Sequence, residues 1–112
     1  MPYLNIQTNV PVSDEAALLA EASAAVAAML GKPENYVMVH IESGVALMFA
    51  GMDAPAAYLQ LKSLALPEAK TADYSATLCD LMQQTLGIEA GRVYIEFSAP
   101  DRHMWGWNSG TF

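Results

Sequence analysis

The chain carries the same pattern twice, and this constrains its fold more than any other feature. "YLNIQT" (Tyr3 to Thr8) aligns with "YLQLKS" (Tyr58 to Ser63), keeping the apolar positions and the polar residues between them. Each is followed by a helix-like segment that ends at a glycine, Gly31 or Gly87. "YVMVHI" (Tyr36 to Ile41) and "RVYIEF" (Arg92 to Phe97) then fall in step, and the offset stays near half of the 112 residues. A fixed internal period of this kind marks a duplicated supersecondary unit. The length fits a single domain, 1–112, with repeats of about 2–55 and 57–112.

Each half reads as strand–helix–strand. Leu4, Ile6, Thr8 and Val10 alternate with Tyr3, Asn5, Gln7 and Asn9, the period of a half-buried strand. Ser13 is a candidate helix N-cap, with Asp14 and Glu15 in a first turn that favours negative charge. Leu18, Ala22, Val26, Met29 and Leu30 share one face of the first helix; Tyr74, Leu78, Leu81, Met82 and Thr85 have helical spacing in the second. "VALMFAG" predicts a short extra strand between the halves, with "MWGW" as its counterpart near the end. Two such units joined by right-handed crossovers predict an α+β fold. Its four-stranded mixed sheet would carry both helices on one face. The other face then needs cover, and neighbouring subunits are the available source.

Charge and composition exclude several functions. Five basic against twelve acidic residues give a net charge of −7, which disfavours nucleic acid and anionic membrane surfaces as partners. No apolar run is long enough to span a bilayer, and no signal peptide is visible, so cytoplasmic residence is the default expectation. A single cysteine, Cys79, rules out an intrachain disulfide framework and sits among apolar neighbours that suit an inert core thiol. His40 and His103 lack ligand spacing for a metal, and no glycine-rich phosphate loop is present, so no metal and no cofactor is expected.

Pro2 directly follows Met1. Proline tolerates the first position of a strand because it has no N–H to give a ladder. The chemical alternative is removal of Met1, expected when the second residue is small, which would leave Pro2 as a free secondary amine on a rigid ring. Such an amine can serve as a general base once its pKa lies near the working pH. In the second repeat Pro2 aligns with Ala57, so strand geometry alone does not call for proline here.

Together, "MPYLNIQTNVP", "GKPENYVMVHI", "RVYIEF" and the ending "GWNSGTF" resemble the macrophage migration inhibitory factor and D-dopachrome tautomerase family of the tautomerase superfamily, in register from end to end. The resemblance implies a homotrimer in which small extra strands extend a neighbour's sheet and pockets lie between subunits. It implies a keto–enol tautomerase for phenylpyruvate-like α-keto acids, with Pro2 as base and then acid. Lys32, in "GKP", matches a lysine that binds the substrate carboxylate and depresses the pKa of Pro2. Ser63 and Leu64 match positions whose backbone helps hold that carboxylate. Tyr94 matches a tyrosine that enters the pocket from the adjacent subunit. Glu96 stands where the animal cytokine has asparagine, which predicts altered activity. Tyr36, Trp105, Trp107 and Phe112 would form an aromatic rim, and Trp105, in place of a smaller aliphatic residue, predicts a narrower pocket. A thiol-oxidoreductase element of the animal cytokine is replaced by "AAYL" (Ala56 to Leu59) and has no chemical basis here. The alternative implied by the resemblance is a cytokine-like binding protein with vestigial activity, a receptor partner in a host and unconventional secretion.

Overall fold

A computed structural model describes residues 1–112. Alternating apolar residues make Tyr3–Thr8 the first strand, β1, with Leu4, Ile6 and Thr8 turned into the core. Helix α1 covers Glu15–Leu30, and strand β2, Met38–Glu42, returns parallel to β1. The second half repeats the unit as β3 (Ala57–Lys62), α2 (Thr71–Leu86) and β4 (Val93–Ser98), with β3 and β4 again parallel. The two units meet through β1 and β3, which pair antiparallel, so the strand order is β2-β1-β3-β4. The expected four-stranded mixed sheet is therefore present, and the register is symmetric about its centre, with Leu4 opposite Leu61 and Ile6 opposite Leu59.

Both helices pack on one face of this sheet. Leu18, Ala22 and Val26 of α1 recur at four-residue spacing, as do Tyr74, Leu78 and Met82 of α2. They form one core cluster with Leu4, Ile6, Ile41, Leu59 and Leu61 of the sheet. The small residues Ala22 and Val26 let the alanine-rich α1 approach the strands closely, which a larger side chain at either position would prevent. Both helices stop at a glycine in the left-handed region, Gly31 (φ 62°) and Gly87 (φ 67°). Cys79 is half-buried on α2 rather than within the core.

Two local expectations are corrected. The N-cap of α1 is Asp14, not Ser13. Asp14 immediately precedes the first helical residue, so its Oδ1 can accept from the Ala17 N–H, at 3.0 Å. The "VALMFAG" segment is not a strand within this chain. Its one bridge joins Phe49 to Met52, and the Val45 N–H donates to the Thr8 carbonyl at 3.1 Å, too few backbone bonds for a ladder. Asn9 Nδ2 donates to the carbonyls of Leu47, Asp53 and Ala54, and Asn9 Oδ1 accepts from the Ala56 N–H. Near the end, a tight turn at Arg102–Met104 precedes a small hairpin of β5 (Gly106–Trp107) and β6 (Gly110–Thr111).

Thr8 takes an inward position that alternation assigns to an apolar residue. Its buried Oγ1 donates to the Ala56 carbonyl at 2.8 Å and accepts from the Val10 N–H at 3.1 Å, joining the end of β1 to the start of β3. Thr8→Val keeps the shape and strands both backbone groups, a cost of about 1–3 kcal/mol in urea unfolding. An unchanged midpoint would show that these bonds contribute no net stability.

Candidate functional site

The antiparallel register of β1 with β3 builds the site. Tyr3 lies opposite Lys62, so the chain at Pro2 runs beside the end of β3, where Ser63 and Leu64 follow. Pro2 is fully buried, and its carbonyl accepts from the Met38 N–H at 3.0 Å, which extends the β1–β2 pairing by one step. No N–H is required of Pro2 at this position.

Lys32 comes to the same point from the other side. Gly31 ends α1, and its positive φ turns the chain so that the next side chain runs back toward the sheet. The Lys32 ammonium donates to Ser63 Oγ at 3.0 Å and to the Leu64 carbonyl at 2.7 Å. An ammonium has three N–H donors. The third is available to the chain terminus. The Met1 α-amine is held below its ordinary value of 8.0, first by burial, then by the positive charge of Lys32, then by a hydrogen bond from Lys32. The sequence-predicted residues Pro2, Lys32, Ser63 and Leu64 thus meet at one end of the central strand pair.

In front of Pro2 lies a concavity of about 560 Å³, lined mainly by apolar side chains. Tyr36, Trp105, Trp107 and Phe112 are in its wall. Phe112 stacks on Trp107 with ring centroids 5.5 Å apart, and Tyr36 meets Trp107 edge-on at 5.9 Å. The Phe112 N–H donates to the Trp105 carbonyl and Arg102 Nε donates to the Phe112 carbonyl, so the C-terminal hairpin holds this rim in place. Sequence reasoning missed Asn35, Val37 and Met38 in the wall. Only Met38 had a signal, as the first residue of a strand that pairs with Tyr3.

Tyr94 and Glu96 are not in this concavity. They stand on the sheet face opposite the helices, both exposed, with Tyr94 65% accessible. Tyr94 rests edge-on against Phe49, and Glu96 Oε1 accepts from Gln60 Nε2 at 3.1 Å. Within one chain these two residues stand on β4, at the opposite edge of the sheet from β2, and do not line the concavity at Pro2. A second concavity, of about 550 Å³ between the β1–α1 loop and the end of α2, brings Asp14 and Glu21 together with no basic group. No cluster of metal ligands occurs, and no helix is long and apolar enough to cross a membrane.

A duplicated β-α-β sheet with an amine-bearing N-terminus beside a lysine defines the tautomerase-fold class. The sequence model of the family "Macrophage migration inhibitory factor (MIF)" matches residues 1–112. The chain is 40% identical to the macrophage migration inhibitory factor homolog of Trichuris trichiura, over all of both chains. Among solved structures, the homologue from Prochlorococcus marinus superposes with a TM-score of 0.93 at 43% identity, covering 98% of each chain. The factor from Trichinella spiralis does so with a TM-score of 0.93 at 36% identity, covering 98% of this chain and 99% of that one. The chain belongs to the macrophage migration inhibitory factor family.

In a chain beginning at Met1, the α-amine titrates below 8.0, and in Lys32→Met it titrates higher because a neighbouring positive charge is gone. Reductive ¹³C-methylation with an NMR titration reads both values. Identical titration in the two proteins would remove Lys32 as a cause.

Proposed function

We propose that this protein is a keto–enol tautomerase for phenylpyruvate-like α-keto acids, with Pro2 as its base after removal of Met1. The observation that carries the reading is the ammonium of Lys32 placed beside the chain terminus, whose Met1 and Pro2 line an aromatic-walled concavity. One cation does two things there. It offers a donor to a carboxylate, and it disfavours a protonated amine next to it.

The chemistry follows from those positions. The Pro2 nitrogen takes a proton from the carbon next to the substrate's keto group. The C–H electrons become the carbon–carbon double bond, and the carbonyl π electrons move to oxygen. The protonated amine then returns its proton to that oxygen or, in the reverse direction, to carbon. Lys32 and the Leu64 backbone, with Ser63 fixing the ammonium, hold the carboxylate. Tyr36, Trp105 and Phe112 accept the aromatic ring of the substrate.

Tyr94 and Glu96 enter this scheme through a homotrimer. The sheet face without helices exposes Met38 and Tyr94, which are 66% and 65% accessible, and neighbouring Met48 is 67% accessible. Apolar exposure of this extent favours burial against another copy. In that assembly Tyr94 of one subunit assists at the substrate oxygen in the next pocket. Glu96 adds a carboxylate at its polar end, which weakens binding of an acidic substrate.

The test uses chain confirmed by mass to begin at Pro2. It tautomerises phenylpyruvate, and chain retaining Met1, whose Pro2 nitrogen is an amide, is slower by roughly 100-fold or more. Comparable rates in the two would rule out Pro2 as the base. In Lys32→Met, KM rises and the acid limb of the pH profile of kcat/KM moves to higher pH, because the amine pKa rises when the cation is lost. Light scattering should give a mass of three chains, and Glu96→Asn should lower KM for the keto acid.

A further inference from the structure

Arg92 is the one arginine whose contacts are unusually complete. It ends the turn Ala90–Arg92, directly before β4. Its Nε donates to the Pro55 carbonyl at 2.9 Å and its Nη1 to the Phe49 carbonyl at 3.2 Å. Its Nη2 donates to the carbonyls of Met52, at 3.2 Å, and Ala54, at 3.0 Å. No carboxylate lies within ion-pair distance, in a chain with a net charge of −7. The guanidinium is thus committed to four backbone carbonyls of one loop, an arrangement that its planar fork of donors permits and a lysine cannot reproduce.

The same guanidinium lies over the Phe49 ring, with its central carbon 5.3 Å from the centroid. Phe49 in turn meets Tyr94 edge-on, at 4.7 Å between centroids and 68° between planes. Tyr94 is otherwise largely exposed, and no side-chain hydrogen bond to its hydroxyl holds it within the chain. The ring of Phe49 is therefore its main constraint. Phe49 itself sits in a loop that Asn9 and Arg92 hold from two sides, closed by the Phe49–Met52 bridge with Ala50 at φ 55°.

We infer that Arg92 is a positioning residue for Tyr94: it fixes the Phe49 loop and ring, and through them the direction in which Tyr94 leaves the sheet. The catalytic consequence rests on the proposed role of Tyr94 in a neighbouring subunit's pocket. The positional claim does not.

Two readouts test it on the full chain lacking Met1. The first is the ¹³C relaxation and chemical shift of the Tyr94 ring, in wild type, Arg92→Ala and Arg92→Lys. Arg92→Ala should free the ring, and Arg92→Lys, which keeps a cation near Phe49 but serves fewer carbonyls, should free it in part. An unchanged Tyr94 ring in folded Arg92→Ala overturns the inference. The second is a double-mutant cycle on phenylpyruvate tautomerisation with Tyr94→Ala. Arg92→Ala should lower kcat/KM roughly tenfold, divided between kcat and KM as for Tyr94→Ala, and the double variant should lose no more than Tyr94→Ala alone. Losses that multiply would show Arg92 acting independently and overturn it. If Tyr94→Ala leaves activity intact while Arg92→Ala still frees the ring, the positioning stands and the catalytic assignment of Tyr94 is what fails.

Discussion

The antiparallel pairing of β1 with β3 is the constraint on which everything else rests. It joins two copies of one β-α-β unit into a single sheet and aligns Leu4 with Leu61 and Ile6 with Leu59 under the helices. The same register brings the N-terminus alongside the end of β3. A one-residue slip would turn the apolar residues outward, and it would also separate Pro2 from Ser63 and Leu64. Fold and site are therefore not independent features of this chain. The Lys32 ammonium, turned toward the sheet by Gly31, meets the Leu64 carbonyl at that same end of β3.

The opposite face of the sheet shows how the register organises polar groups. His40, Asn5, Gln60 and Glu96 occupy one row across all four strands. Gln60 Nε2 donates to Glu96, Asn5 Nδ2 donates to Gln60 Oε1 at 3.2 Å, and His40 Nδ1 donates to Asn5 Oδ1 at 2.9 Å. An ionised carboxylate accepts only, so Glu96 sets the direction of the whole row and with it the tautomer of His40. Each amide is thereby satisfied on both sides, which makes a polar face compatible with the burial of Asn5. Glu96 thus has a structural partner within its own chain in addition to the substrate role proposed for it.

Much of this was legible in the sequence. The duplication predicted the sheet, its mixed pairing and the side on which the helices pack, because alternation and four-residue spacing report burial directly. Pro2, Lys32, Ser63 and Leu64 were grouped by the family resemblance, since residue type and spacing alone allow a strand-starting proline and a solvated lysine at a helix end. The role of Asp14 was missed because Ser13 and Asp14 are both good caps and only the helix start separates them. "VALMFAG" read as a strand because periodicity reports which residues are apolar and not what pairs with their backbone. Two of its carbonyls, of Leu47 and Phe49, are met by Asn9 and Arg92, which are distant in sequence and carry no local signal. The separation of Tyr94 and Glu96 from the Pro2 concavity was implied by the resemblance, through a second subunit, and lies beyond what one chain's pattern can encode.

The proposed base is the unmasked amine of Pro2, one residue from the Met1 amine that burial and Lys32 hold below its ordinary value. Its most direct measurement is an NMR titration of the ¹⁵N-labelled Pro2 nitrogen in chain lacking Met1, set beside the pH dependence of kcat/KM for phenylpyruvate. The account predicts one shared midpoint, below that of an unstructured N-terminal proline. A Pro2 nitrogen that titrates like the unstructured one, or well away from the kinetic midpoint, would contradict it.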